Sequence, residues 1–83
     1  PNPFNPKTKI DYSLDVNDYI NLSIYDIRGR LIKTLESGYV LKGHHFVYWN
    51  STDNNNVKVH SGVYFYQLKT SNKVITKKMV LIK

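Results

Sequence analysis

The three histidines are the residues most able to do chemistry, because an imidazole can bind a metal ion or transfer a proton near neutral pH. His44 and His45 are adjacent, and adjacent side chains in a β-strand point to opposite faces. They therefore cannot hold one ion without distortion of the backbone. His60 lies beside the Ser61-Gly62 turn with no acidic neighbour in the sequence. The sequence predicts no metal site and no cofactor.

Enzymatic chemistry is not expected. The sequence has no cysteine, which removes thiolate nucleophiles, thiolate zinc ligands and disulfides together. No Ser-His-Asp grouping, pair of carboxylates or glycine-rich phosphate loop stands out, and Gly29-Arg30 fits a turn. We therefore expect a protein that is not an enzyme.

The net charge of +6 is unevenly placed. Residues 1–39 hold five Lys or Arg and five acids, whereas residues 40–83 hold seven Lys and one acid. A basic half favours an acidic partner such as phosphate, lipopolysaccharide or an acidic protein groove. The alternative is that these lysines are solvated residues that protect strand edges from aggregation.

A run of aromatic residues in the basic half resembles a stacking platform for single-stranded nucleic acid. The run is Tyr64, Phe65 and Tyr66. Strand alternation, however, puts Tyr64 and Tyr66 on the same face as Leu68, which favours burial in a core. We therefore expect no nucleic-acid partner.

Apolar and polar residues alternate with period two along most of the chain, and helical periodicity is weak. The pattern predicts about seven short strands, at residues 8–14, 19–25, 30–35, 44–49, 57–59, 63–70 and 73–83. This number of strands in one domain over residues 1–83 favours an all-β fold, an immunoglobulin-like antiparallel β-sandwich. No apolar run is long enough to span a bilayer, so direct membrane insertion is not expected.

The same alternation predicts which side chains build the core. The expected core anchors are Tyr12, Ile24, Trp49, Tyr64, Tyr66 and Leu68. The sequence Asp26-Ile27-Arg28-Gly29 predicts a hairpin turn, and Glu36-Ser37-Gly38 is expected to end the strand that follows it. In the last strand neither face is cleanly apolar, which predicts a bulge near Lys77-Lys78.

Both ends of the chain have a distinctive composition. The proline-rich start cannot form helix or central strand, and residues 1–7 are expected to be a junction segment. Its candidate motif is Pro1, Asn2, Pro3, Phe4 and Pro6, read either as a recognition element or as a stiff linker. Because the sequence begins with Pro1 and not with Met, we expect a piece of a longer protein.

An ordered set of short motifs runs through the whole sequence and resembles one known family. These motifs are Pro1 to Pro6; Thr8, Ile10, Tyr12 and Leu14; Ile24-Tyr25-Asp26 with Gly29-Arg30; Thr34-Leu35; Gly43 with His45; Trp49; Ser61-Gly62-Val63-Tyr64 with Tyr66 and Leu68; and Lys78-Met79 with Leu81. Together they resemble the C-terminal sorting domain of the type IX secretion system. The immunoglobulin-like domain of the flagellar hook-capping protein shares much of the pattern.

The resemblance implies a folded tail that directs a larger upstream cargo through the periplasm and across the outer membrane, to the cell surface or beyond. The implied partners are an outer-membrane translocon and a sortase-like peptidase that then removes the tail. It also implies that the translocon reads the closing strand, through Lys78, Met79, Val80, Leu81 and Lys83. Read from residue types alone, these residues fit an ordinary final strand, and the whole chain fits an accessory or spacer domain of a secreted protein.

The sequence departs from the family in one loop. Residues 50–56 are rich in asparagine, whereas relatives are richer in aspartate and glycine there. Asp53 is the only carboxylate of this loop, which argues against calcium binding because hard cations need several oxygen ligands with negative charge.

Overall fold

Six antiparallel β-strands make up the regular structure of the computed structural model, which describes residues 5–83. The junction residues Pro1, Asn2, Pro3 and Phe4 lie outside the described residues. The strands are β1 (Thr8–Leu14), β2 (Asp18–Asp26), β3 (Leu31–Val40), β4 (Gly43–Trp49), β5 (Gly62–Lys69) and β6 (Val74–Leu81).

The strands form two sheets, a two-stranded sheet β1-β4 and a four-stranded sheet in the order β3-β2-β5-β6. The predicted all-β sandwich is therefore confirmed, with six strands where about seven were expected. The expected short strand at residues 57–59 is instead one isolated bridge, between Thr52 and Lys58.

The core lies between the two sheets and follows the alternation of the sequence. The side chains of Ile10, Tyr12 and Leu14 face it from β1, while Ile20, Leu22 and Ile24 face it from β2. The other buried members of this cluster are Trp49, Tyr64, Leu68 and Leu81. Tyr66, one of the expected core anchors, is only partly buried and packs against the cluster.

Trp49 joins the two layers of the sandwich. Its side chain is 1% exposed and its ring meets the Tyr64 ring edge to face, with the centroids 5.3 Å apart. The indole nitrogen donates a hydrogen bond to the Thr52 carbonyl oxygen at 2.8 Å. This bond satisfies the one polar group of a buried tryptophan, as burial requires.

The turn between β2 and β3 is closed by a single carboxylate. Asp26 Oδ1 accepts hydrogen bonds from the backbone nitrogens of Arg28 and Arg30, each at 2.9 Å, and Oδ2 binds Arg30 Nε at 2.8 Å. Gly29 has a φ of 81°, which an L side chain adopts only with strain. The backbone hydrogen bond from Arg30 is the main reason why the pKa of Asp26 is lowered.

Two strand predictions were wrong. β3 was expected to end at Glu36-Ser37-Gly38 but continues to Val40, because Gly38 keeps its pairing with Ile20 and the pairing with β2 extends to Val40 opposite Asp18. The bulge expected near Lys77-Lys78 is absent, since β5 and β6 pair without a register shift. Ile75 is 42% exposed and Lys77 is exposed, so the inward face of β6 is incompletely covered. This face can therefore hold a lysine between apolar residues without a bulge.

Candidate recognition surface

The two outer edges of the four-stranded sheet differ in whether they are covered. At β3, the backbone nitrogen of Asn54 donates to the Ile32 carbonyl oxygen at 2.9 Å, and the Asn54 side-chain oxygen accepts a hydrogen bond from the Thr34 nitrogen at 3.0 Å. The loop after Trp49 therefore occupies hydrogen-bonding groups at the start of this edge strand, at Ile32 and Thr34. Such coverage is a known protection of edge strands against pairing with other chains.

A lysine holds this covering loop in place. The Lys33 ammonium donates to Thr52 Oγ1, the Asp53 carbonyl oxygen and Asn56 Oδ1, each at 3.0 Å. Asp53 Oδ1 accepts hydrogen bonds from the backbone nitrogens of Asn55 and Val57, at 2.8 and 3.0 Å. The positive charge that holds the loop is thus the Lys33 ammonium group, and the Asp53 carboxylate accepts hydrogen bonds from backbone nitrogens of the loop itself.

Replacement of Lys33 with methionine is expected to lower the free energy of unfolding by about 1–2 kcal/mol, because hydrogen bonds from a charged donor are lost. A urea titration measures this loss. Lys42→Met removes an exposed lysine of the same length and is the matched control. Added Ca²⁺ is expected to leave the melting temperature of the unmodified chain unchanged. Equal stability of the two variants would contradict the role given to Lys33.

At the opposite edge, β6 has β5 as its single strand partner in the part of the chain that the structure describes. Its outer row of backbone groups is therefore open to another strand. The segment from Lys73 to Lys83 contains four lysines and no acid, and Lys73, Lys77, Lys78 and Lys83 are all exposed. An open edge with this charge suits an acidic partner that adds a strand.

The structure divides the five residues of the expected recognition segment between surface and core. Lys78, Val80 and Lys83 are exposed, with Val80 at 63%. Leu81 is 4% exposed, and Met79 is partly buried against the core. The backbone nitrogen of Lys83 donates a hydrogen bond to Ser61 Oγ at 3.1 Å, which ties the strand end to the start of β5. Lys78 and Val80 are therefore available to a partner, while Leu81 holds the strand to the domain.

The described part of the junction segment is attached to the loop that follows β4. Ser51 Oγ donates to the Pro6 carbonyl oxygen at 2.6 Å, and the Asn5 side-chain nitrogen donates to the Asn50 carbonyl oxygen. Ser51 is completely buried and has a φ of 63°. The chain entering β1 is thereby fixed against the domain.

An outward-facing row of side chains was missed by the sequence reasoning. Leu31 pairs with Tyr25, Tyr25 with Phe65, and Phe65 with Lys78, so the row crosses all four strands of the large sheet. Val63 and Val80 pair beside it. We call Tyr25, Leu31, Val63, Phe65 and Val80 the outer patch. In the sequence, the patch is visible as apolar or aromatic residues at odd-numbered positions of β2 and β5, which face away from the core.

The groups that could do chemistry are dispersed. His44 Nε2 lies 2.9 Å from Asp11 Oδ1 on the exposed face of the small sheet, whereas His45 stacks on Tyr12 with the ring centroids 5.4 Å apart. Within residues 5–83, no three histidine, aspartate or glutamate side chains come together as a metal site would require. Nor does that range contain a helix long and apolar enough to span a bilayer.

Two further titratable groups serve the fold. The Ser71 hydroxyl and backbone nitrogen donate to Asp18 Oδ2 at 2.7 and 3.1 Å, and the hydroxyl bond is the main reason why the Asp18 pKa is lowered. These bonds tie the β5–β6 turn to the start of β2. Burial and the neighbouring Glu36 carboxylate raise the pKa of Tyr12 to about 12, so its hydroxyl remains a donor to Glu36 at 3.3 Å.

Fold and surface together define a class, a small immunoglobulin-like β-sandwich with one partly covered edge and one open, basic edge on its large sheet. Among solved structures it is similar to FlgD from P. aeruginosa, with a TM-score of 0.72 and 20% sequence identity over 92% of this chain. The chain spans 61% of the FlgD chain. At this identity the likeness shows the fold alone.

The family of the chain is shown by its sequence. A family model described as the secretion system C-terminal sorting domain matches residues 1–83, and the chain belongs to this family. The resemblance noted from the sequence motifs is thereby confirmed. No curated protein matches the chain.

Proposed function

We propose that the chain is a C-terminal secretion signal of the type IX system, which directs an upstream cargo protein from the periplasm across the outer membrane. Its membership of the sorting-domain family over residues 1–83 is the observation that carries the proposal. The chain acts as a label that other proteins bind, and the chemistry of export belongs to them. Removal of the tail by a sortase-like peptidase, by cleavage upstream of Pro1, completes the proposed sequence.

The open edge of β6 is the surface that we assign to the translocon. Addition of a partner strand would satisfy its free backbone groups, and the exposed Lys77, Lys78 and Lys83 would meet carboxylates of the partner, whereas Lys73 lies 3.9 Å from Asp15. The other edge of the large sheet is partly covered, at Ile32 and Thr34, by the loop that Lys33 holds, so the two edges are not equivalent. This difference supports a single orientation of docking.

Reversal of two of these charges tests the assignment. The double variant Lys77→Glu and Lys78→Glu, in a reporter protein that carries this chain at its C-terminus, is expected to be exported about tenfold less, because like charges then face the acidic partner. The measurement is the fraction of reporter outside the cell, in a bacterium that has the type IX system.

The control for this variant is the pair Lys42→Glu and Lys58→Glu, which makes the same change in net charge at exposed lysines outside β6. Melting curves of both double variants establish that they fold. If both pairs reduce export equally, net charge and not the β6 edge is what the machinery senses, and the assignment to β6 is wrong.

A further inference from the structure

The outer patch lies on the face of the large sheet that is turned away from the core. Tyr25 and Phe65 are cross-strand partners at its centre and are half-buried, while Leu31 and Val80 at its sides are 51% and 63% exposed. A shallow depression of about 490 Å³ lies at the centre of the patch, where Tyr25 and Phe65 line it together with Gln67, Lys69 and Thr76. Exposed apolar side chains grouped beside one another on a strand face are a common feature of protein-binding surfaces.

The residues around the patch carry positive charge. Lys78 extends the row at the β6 edge, and Arg28 is exposed at the turn beside Ile27, which is itself 71% exposed. The acid that borders the patch, Asp26, is already paired with Arg30 at 2.8 Å. An apolar centre with a basic rim is complementary to an apolar protein surface that has carboxylates at its margin.

We propose that the outer patch is a second docking surface, for an acid-rimmed apolar surface on a protein of the export machinery. This proposal rests on the proposed function and deepens it, because it predicts that the sorting signal is read from several strands at once. Residues of β2, β3 and β5 contribute to the patch as well as β6. A peptide that contains only the last strand would lack most of this surface.

The first test compares two tyrosines of the same strand. Tyr25 lies in the patch, and Tyr19 lies six positions earlier on the same face of β2, where it is 70% exposed. Tyr25→Thr is expected to reduce export of the reporter fusion about tenfold, the effect of losing one central contact of an interface, whereas Tyr19→Thr leaves it unchanged. Threonine suits a β-strand in both positions.

Because Tyr25 is half-buried, a second variant excludes a loss of folding. Leu31→Ser removes a patch side chain that lies outside β6 and is 51% exposed, so a native melting curve is expected together with a loss of export. Export at the level of the unmodified chain in both patch variants would overturn the patch while leaving the proposed function intact.

Two further outcomes are decisive. If the unmodified chain exports the reporter no better than a reporter without the tail, the proposed function fails and the patch proposal fails with it. Binding to vesicles that contain lipopolysaccharide is also measured, for the unmodified chain and for the Tyr25→Thr variant. If the unmodified chain binds these vesicles and Tyr25→Thr abolishes that binding, the ligand is a lipid and docking to a protein is overturned.

Discussion

Replacement of Trp49 with alanine is expected to lower the free energy of unfolding by about 3–5 kcal/mol, as truncation of a large aromatic side chain in a core does. The side chain is 1% exposed, contacts the Tyr64 ring, and donates its only polar hydrogen to Thr52. A domain of this size has a total stability of roughly 5 kcal/mol. The variant should therefore be largely unfolded at growth temperature, which a thermal melt by circular dichroism measures.

Tyr48→Ala is the matched control for the tryptophan. Tyr48 precedes Trp49 in β4, points away from the core and is 52% exposed. Its removal should change the free energy of unfolding by less than about 1 kcal/mol, because exposed positions rarely cost more. If Trp49→Ala melts as the Tyr48 variant does, Trp49 does not join the two sheets as described.

The second large effect concerns the end of the chain. Deletion of Lys78–Lys83 is expected to reduce export of a reporter fusion to the level of the reporter alone, with the protein retained in the periplasm. The deletion removes the C-terminal half of the open β6 edge and also takes Leu81 out of the core. Cell fractionation with an antibody against the reporter measures both compartments.

A point variant separates these two consequences of the deletion. Leu81→Ala keeps the lysines and the edge but leaves a cavity that costs about 2–5 kcal/mol. If this variant folds at a lowered growth temperature, its export should recover there, whereas the deletion should remain in the periplasm. Normal export of the deletion variant would contradict recognition through the last strand.

The sequence predicted the parts of the fold that depend on local pattern. Alternation in β1 and β2 identified Tyr12 and Ile24 as inward-facing, and Asp26 with Gly29 identified the turn that joins β2 to β3. These predictions succeed because each rests on the period of a strand or on the φ requirement of a turn. Both of these are properties of neighbouring residues.

The features that were missed depend on which strands are neighbours. The row from Leu31 to Lys78 exists only because β2 lies between β3 and β5, and nothing in the local pattern gives that order. Lys33 binds oxygens 19 to 23 residues away in the chain. The bulge in β6 was expected because neither face of the strand is apolar along its whole length, but the inward face of this edge strand is partly open to solvent at Ile75 and Lys77.

We expect the folded chain to be sufficient by itself to send another protein out of the cell. The direct measurement is the extracellular fraction of a periplasmic reporter protein with and without this chain at its C-terminus, in one bacterium that has the type IX system. The reporter is expected outside the cell only when the chain is attached. Equal amounts outside the cell in both cases, with the attached chain folded, would make it a spacer domain and contradict the account.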